Sequence, residues 1–350
     1  MENKQSDIIS VISQRIAEGT YTEKLPKSSE LAAEFSVNIK TVNKALLRMA
    51  KRGVVVRKRH VGTIVVKPEA IENSVPRMIE VLYEGFTAIF SHPFWGDIWD
   101  GMVTELARLN CRPVLNMLNS DPETGLLNTD DIHLMPDTAK IILGISEQRL
   151  FNKLKEMEVP YIVCEQVDDP ETPQIVFDMQ QAIADAVNYL FDCGCRRIAF
   201  VGLTGSLVDP GHVQKYRHFI RALQRYCKID PALIADTRPL AGAGAGAMRK
   251  ILERTTCDAV FAAYDHQLPD IYAVLEEYGL EDIPVIGCDG LAISGVPETR
   301  YAVVSPRRRC GVMLASGIVD MLDGKHIPRQ QVLTSRFARM PVSFSDQEYL

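Results

Sequence analysis

A chain of 350 residues with 46% hydrophobic side chains is long enough for a small head and a body of about two lobes, so its core is not marginal. The net charge of −6 would by itself argue against a nucleic-acid partner, but it is unevenly divided. Residues 1–67 hold 13 Lys and Arg against 6 Asp and Glu, net +7, which leaves net −13 on the remainder.

The opening MENKQSDIIS lacks the basic-then-apolar pattern of a secretory signal, and no apolar run approaches the roughly 18 residues of a membrane span. A cytoplasmic protein with no membrane partner is expected. The eight cysteines are scattered after residue 110, and Cys193-Gly-Cys195 is too tight for a CxxC ligand pair. No metal and no cofactor is expected, and the thiols should be free and buried.

In chain order, Ser6 is placed to cap a first helix whose Ile8, Ile9, Ile12 and Ile16 recur at helical spacing before Gly19 ends it. A second helix follows Pro26, with Ser28 or Ser29 as its cap and Leu31, Ala32 and Phe35 turned inward. A third is capped by Asn38. Its Val42, Ala45, Leu46 and Met49 fall at i, i+3, i+4 and i+7, which leaves Lys40, Asn43, Lys44 and Leu47 outward. Gly53 suits a helix end, and the β-rich runs Val54 to Val56 and Ile64 to Val66 flank the charged loop Arg57 to Thr63.

A short helix with a positive outer face can enter the major groove, while the loop cations and backbone amides hold phosphates. The plainer alternative is a helical domain with a solvated charged face. Against it, Arg57, Lys58, Arg59 and His60 stand in a row between two strands, which packing does not explain. The candidate DNA contacts are Lys27, Ser28, Ser29, Asn38, Lys40, Thr41, Asn43, Lys44, Arg57, Lys58, Arg59, His60, Gly62 and Thr63.

Leu25-Pro26, Glu30-Leu31-Ala32, Val37, Thr41-Val42, Ala45-Leu46, Gly53 and Gly62-Thr63 carry a resemblance to the DNA-binding domain of the GntR family of bacterial transcription regulators, over about Ile8 to Val66. The resemblance implies a winged helix-turn-helix. The family often has arginine where this chain has Ser29, Ile39 and Asn43, so contacts would lean on Lys27, Lys40, Lys44 and the wing.

The sequence divides into a head over 1–67, a polar linker over 68–77 and a body over 78–345. Within the body, strands are predicted at Arg112 to Leu118, Ala139 to Ile145, Val159 to Cys164, Ile175 to Phe177, Arg197 to Leu203, Ala259 to Ala263 and Ile283 to Cys288. Amphipathic stretches near 97–109, 147–157, 181–193, 213–227, 246–255, 267–279 and 307–323 alternate with them. The pattern predicts an α/β body of parallel sheets covered by helices, in two lobes.

Ligands of such sheets bind beyond the carboxyl ends of strands, which singles out Glu165, Asp178, Asp265 and Asp289. Each carboxylate suits sugar hydroxyls, and each could equally cap the next helix. Phe94 and Trp95 follow the alternating apolar pattern that begins at Met78, the first strand of the body, where rings can cover the apolar face of a sugar, whereas Trp99 and Phe90 suit the core.

His92-Pro93-Phe94-Trp95, Val159-Pro160, Cys195 to Gly202, Ala222-Leu223, Asp258 to Ala262, Asp265 and Ile283 to Asp289 make the body resemble the effector domain of the lactose-repressor family, itself similar to periplasmic sugar-binding proteins. The resemblance implies that Phe94, Trp95, Asp265 and Asp289 line a cleft with a cation that is either Lys215 or Arg217, and the strand-end reading adds Glu165 to these candidates. A GntR head on this body resembles the arabinose-repressor subgroup. Implied partners are double-stranded operator DNA, a small sugar-like effector and a second copy of the chain. An enzyme is not expected: Gly242 to Gly246 matches neither GxGxxG nor a phosphate loop, and neither HExxH nor GxSxG occurs. A transport-associated binding protein fits the body but neither the opening residues nor the basic head.

Overall fold

The computed structural model describes residues 2–17, 19–51, 54–58, 62–65, 76–84, 93–118, 127, 132–164, 166–169, 171–205, 210–238 and 242–341. It divides into two compact units, Met1–Pro76 and Arg77–Leu350. Most of the predicted linker, together with Gly53, Arg59, His60, Phe90 and Glu165, lies outside the described residues, as does the Lys58 side chain.

In the first unit, helices α1 (Glu2–Ala17), α2 (Ser28–Glu34) and α3 (Ile39–Lys51) precede the antiparallel strands β1 (Val55–Lys58) and β2 (Gly62–Val65). The core is the predicted one: Ile8, Ile12, Leu31, Val42, Ala45, Leu46 and Met49 are buried together with Val55 and Val65. Removing these side chains from water at about 25 cal/mol per Å² is what holds three short helices that would not persist alone. Helix α1 begins before Ser6, so Ser6 is an interior residue and not its cap. Helix α2 begins at Ser28 with Lys27 as the cap residue, and the Lys27 amide donates to the Glu30 carboxylate at 2.9 Å. Neither Ser28 nor Ser29 caps it, because Glu30 already meets an orphan amide of the helix start. Asn38 does cap α3, accepting from the Lys40 amide at 2.8 Å. The segment before α2 is bridged to the hairpin at Lys24 and Ile64, with the Leu25 amide donating to the Thr63 carbonyl at 2.9 Å.

The second unit holds two six-stranded sheets. One is built from β3 (Arg77–Glu84), β4 (Cys111–Leu118), β5 (Ala139–Leu143), β6 (Tyr161–Cys164), β7 (Gln174–Asp178) and β13 (Gln330–Thr334), in the order β13-β7-β6-β5-β3-β4, all parallel. The other is built from β8 (Ile198–Gly202), β9 (Ile234–Asp236), β10 (Ala259–Ala262), β11 (Val285–Asp289), β12 (Tyr301–Val304) and β14 (Arg336–Arg339), in the order β14-β12-β11-β10-β8-β9, with only β14 antiparallel. Helices α4 (Pro93–Arg108), α5 (Gln148–Glu156) and α10 (Arg307–Leu322) serve the first lobe; α6 (Gln180–Asp192), α7 (Pro210–Leu223), α8 (Ala243–Leu252) and α9 (Leu268–Glu277) serve the second.

Each sheet is covered on both faces. On β5, Ala139, Ile141 and Leu143 enter one core and Ile142 the other; on β8, Ile198 and Phe200 oppose Ala199 and Val201. Successive residues of a strand point to opposite faces, so burial of both makes the strand a continuous apolar run, which is how these segments read in the sequence. The chain crosses between lobes three times, after Asp178, after Val304 and after Thr334. The crossings are tied together: the Ser335 amide donates to the Asp178 carbonyl at 2.8 Å, and the Ser305 and Ser335 hydroxyls lie 2.9 Å apart.

Candidate functional site

On the head, Lys40 and Lys44 are exposed on α3 and Asn43 is partly exposed between them. The Asn43 Oδ1 accepts from Ser28 Oγ and from Arg57 Nη2, both at 3.0 Å, so one side chain on each of α2, α3 and β1 meets at this point. Lys27, Ser29, Asn38 and Arg57 are exposed and Thr41 is partly buried. Arg57 and Lys58 stand on β1 and Gly62 and Thr63 on β2, where the sequence placed them all in the loop. The Thr63 side chain is buried, on the same face of the hairpin as the core residue Val65, so only its backbone remains available for a contact. Gly62 has φ +112, a backbone conformation that favours glycine at the turn.

In the body, side chains gather where the carboxyl ends of the two sheets meet. In the first lobe, Phe94 and Trp95 open α4 and pack edge to face, with centroids 5.0 Å apart. Tyr83 at the end of β3 meets Trp95 at 6.0 Å, and Phe177 on β7 meets Phe94 at 6.0 Å. Gly144 follows β5 with φ +70, and a Cβ there would fall 2.8 Å from the Trp95 ring. A glycine is therefore what lets the indole lie over the strand end. Tyr83, Phe177 and Gly144 were not singled out in the sequence; the ring pairing that marks them exists only in three dimensions.

In the second lobe, Lys215 on α7 reaches Asp289, the last residue of β11. Lys215 Nζ donates to Asp289 Oδ1 at 2.7 Å and to the Ala263 carbonyl at 2.9 Å, and lies 4.9 Å from the centre of the Tyr264 ring. Both partners are buried. Burial alone would push the ammonium down, but the Asp289 carboxylate overcomes this and holds Lys215 above its ordinary value. Of the two cations left open by the sequence, Lys215 is the one brought to Asp289; Arg217 is exposed on the same helix. Asp289 has φ +130, backbone that a non-glycine residue adopts only under strain, and such residues gather at ligand clamps.

Asp265 lies behind this pair. It is fully buried, its Oδ2 accepts from the Leu291 amide at 2.6 Å and from Arg300 Nη2 at 3.1 Å, and a Cβ on Gly287 would collide with its Oδ1 at 1.8 Å. Its carboxylate thus holds the loop after β11. Asp178 occupies the first crossing and accepts from the Gln180 amide at 2.9 Å, so the capping alternative describes its contact.

Arg307, at the start of α10, joins the lobes. Its guanidinium donates to Asp97 on α4 at 2.9 and 2.8 Å, to the carbonyl of Asp289, and to the carbonyl of Gly290 at 3.3 Å, while lying 6.0 Å from the Phe94 ring centre. The sequence reading missed it. It is the first of three arginines in Arg307-Arg308-Arg309, and a run of cations at a helix start reads as solvated surface.

Burial and the neighbouring Asp289 charge push the Asp265 carboxyl up to about 6, and Arg300 opposes without cancelling. Because the folded value lies above the ordinary 3.8, the folded chain binds this proton more tightly than the unfolded chain. The stability from this group is complete below about pH 4 and is lost as pH rises through 6, at up to about 1.4 kcal/mol per pH unit. Urea titrations between pH 4 and 6.5 should therefore give a steeper fall of stability with pH for the parent than for Asp265→Asn. Parallel curves would reject the shifted carboxyl.

Comparison with known proteins agrees with this architecture. Residues 4–65 match the family described as bacterial regulatory proteins, gntR family, and residues 187–338 match the periplasmic binding protein-like domain. The arabinose metabolism transcriptional repressor of Geobacillus stearothermophilus is 23% identical over 327 residues, covering 88% of this chain and 87% of that protein. Among solved structures, the transcriptional regulator CelR–cellobiose complex superposes with a TM-score of 0.65 at 22% identity, over 90% of this chain and 99% of that one. The Lac repressor dimer bound to operator and the anti-inducer ONPF gives 0.61 at 17% identity, over 78% and 96%. The chain thus carries a gntR-type DNA-binding region over residues 4–65 and a periplasmic binding protein-like domain over residues 187–338, on a fold shared with the CelR and Lac repressor structures.

Proposed function

We propose that the protein is a ligand-responsive, DNA-binding transcription regulator, acting in the cytoplasm as a repressor, and that its body binds a small sugar-like effector that alters operator affinity. The observation that carries this reading is the joining, in one chain, of a positive recognition helix to an acidic two-lobed body whose strand ends present an aromatic group on one lobe and a buried Lys215–Asp289 pair on the other. Lys40, Asn43 and Lys44 on α3 face the major groove, and Lys27, Ser29 and Arg57 lie against phosphates. A single small head buries too little surface for tight specific binding, so a homodimer on a near-palindromic duplex is the working form.

Phe94 and Trp95 suit the apolar face of a sugar, and Asp289 with Lys215 suits its hydroxyls. A sugar is supported further by the name and title of two similar proteins, one a repressor of arabinose metabolism and the other a complex with cellobiose. The Lys215–Asp289 and Arg307–Asp97 pairs neutralise one another within the site, which favours an uncharged effector. Closure of the lobes on that effector lowers DNA affinity through its differential affinity for the two states. A sensor, not an enzyme, is favoured because Asp289 holds a buried cation in place of standing ready for proton transfer.

The test uses the full chain, random duplex DNA at graded salt, and a panel of neutral mono- and disaccharides. Salt-dependent DNA affinity is expected, and a sugar present at about 100 times its dissociation constant should add roughly 2.7 kcal/mol of stability. Lys40→Ala and Lys44→Ala should each lower DNA affinity and reduce the slope of log K against log salt by about one, with the sugar response intact. Absence of DNA affinity alongside retained sugar binding would leave only a sugar-binding protein.

A further inference from the structure

Helix α3 presents an unusual outer stripe. Ile39, Asn43 and Leu47 stand at i, i+4 and i+8, and Ile39 is 43% and Leu47 52% exposed, while Val42, Ala45, Leu46 and Met49 on the opposite face are fully buried. Lys40 and Lys44 flank the stripe and are exposed. An apolar side chain left in water beside two ammonium groups costs solvation energy and gains nothing within the head. The flanking positive charge selects a polyanion as the surface that covers it, and the first turn of α3 is the part of such a helix that meets base edges.

Asn43 narrows the choice of base. Arginine side chains only donate, so the contact from Arg57 Nη2 fixes which end of the Asn43 amide is the oxygen. That oxygen also accepts from Ser28 Oγ, which fills both of its lone pairs. Asn43 therefore cannot accept from a base while these contacts hold, and the paired donor–acceptor recognition of adenine by an asparagine amide is closed to it. Its Nδ2 can only donate. In the major groove, thymine alone offers a methyl group together with an acceptor oxygen on one edge.

Resting on the DNA-binding reading above, we infer that Ile39 and Asn43 specify a thymine in each operator half-site, with the C5 methyl packed on Ile39 and the O4 oxygen accepting from Asn43 Nδ2. The head thus reads an A·T pair at the positions where arginines would read guanine. Ile39 makes no hydrogen bond and contributes through the methyl alone, whereas Asn43 decides between an acceptor and a donor on the base.

The experiment begins with selection of duplexes from a pool with a randomised core by the full-length chain and by its Asn43→Asp and Ile39→Ala variants. The parent should enrich half-sites containing an invariant thymine. In the enriched duplex, replacing that dT by dU removes only the methyl and should weaken binding about fourfold, the equivalent of one buried methyl group. Ile39→Ala should bind the dT and dU duplexes equally. Asn43→Asp keeps one oxygen for Ser28 and Arg57 and turns the other into an acceptor, so it should prefer 5-methyl-dC over dT at that position, reversing the parent. Enrichment without a thymine, indifference of the parent to dU, or retention of the dT preference by Asn43→Asp would each overturn the inference while leaving DNA binding in place. Failure to enrich any duplex would instead overturn the DNA-binding reading itself. Unfolding temperatures matching the parent separate a change of specificity from a failure to fold.

Discussion

Replacing Asp289 by alanine is expected to abolish the response to effector and to destabilise the body, while operator affinity is retained. Lys215 Nζ would keep its bond to the Ala263 carbonyl but lose the buried carboxylate 2.7 Å away. Removing one partner of a buried pair costs about 3–5 kcal/mol, because the remaining charge is left unpaired, a large part of a domain's net stability. The double variant Lys215→Met, Asp289→Ala should recover most of that loss, since two apolar groups do not require each other. It should still be unresponsive. Asp289→Gly adds a second comparison: it removes the same carboxylate but relieves the φ of +130, so it should be about 1–3 kcal/mol more stable than Asp289→Ala. Chemical denaturation gives the stabilities, and DNA affinity with and without the sugar found by the panel gives the response. An Asp289→Ala protein that is fully released from DNA by that sugar would remove Asp289 from the effector site.

The parts of this architecture that were legible in the sequence are those written as local periodicity. Helix α3 could be placed from Val42, Ala45, Leu46 and Met49 because one face of a 3.6-residue repeat must leave water, and β5 and β10 could be placed because doubly covered strands have no polar phase. Strands β9, β12, β13 and β14 were not recognised. Each is three to five residues long, and β13 and β14 mix Gln, Thr and Arg with few apolar residues. Their pairing with β7 and β12 is decided by the return of the chain across the lobes. The same limit applied to Lys140 and Glu80, which are buried and 3.1 Å apart as cross-strand neighbours on β5 and β3. Nothing local distinguishes such a lysine from a surface one.

For the site, strand ends gave Asp289 directly, and a carboxylate there calls for a cation. The choice of Lys215 over Arg217 needed the rotation of α7, and the φ strain at the buried Asp289 and the closeness of Gly287 to Asp265 needed backbone geometry. Ser28 shows the converse case. Its type and position before an apolar run favour a cap, yet its hydroxyl goes to Asn43 because Glu30 has taken the capping role.

The remaining large effect is expected at Arg307. Its side chain is nearly buried and lies where the lobes join, with Asp97 and Phe94 on one side and the carbonyls of Asp289 and Gly290 on the other. Those two carbonyls belong to consecutive residues with φ +130 and +69, the last residue of β11 and the glycine at which the chain leaves the sheet. Arg307→Ala would leave them without this donor, at about 1–3 kcal/mol for each group that stays buried and unpaired, and would free the lobes at this point. We expect the body to lose about 2–5 kcal/mol in urea denaturation and the sugar affinity to fall with it. Asp97→Ala should cost far less, because its carboxylate is 47% exposed and water competes for it. Arg307→Lys separates charge from shape. An ammonium can neutralise Asp97 but cannot reach three acceptors from one plane, so the lysine variant should resemble Arg307→Ala in sugar affinity. If instead Asp97→Ala reproduces the full loss and Arg307→Lys restores the parent, the residue acts only as a surface ion pair, and the lobes must be coupled through the three crossings at Asp178, Ser305 and Ser335 alone.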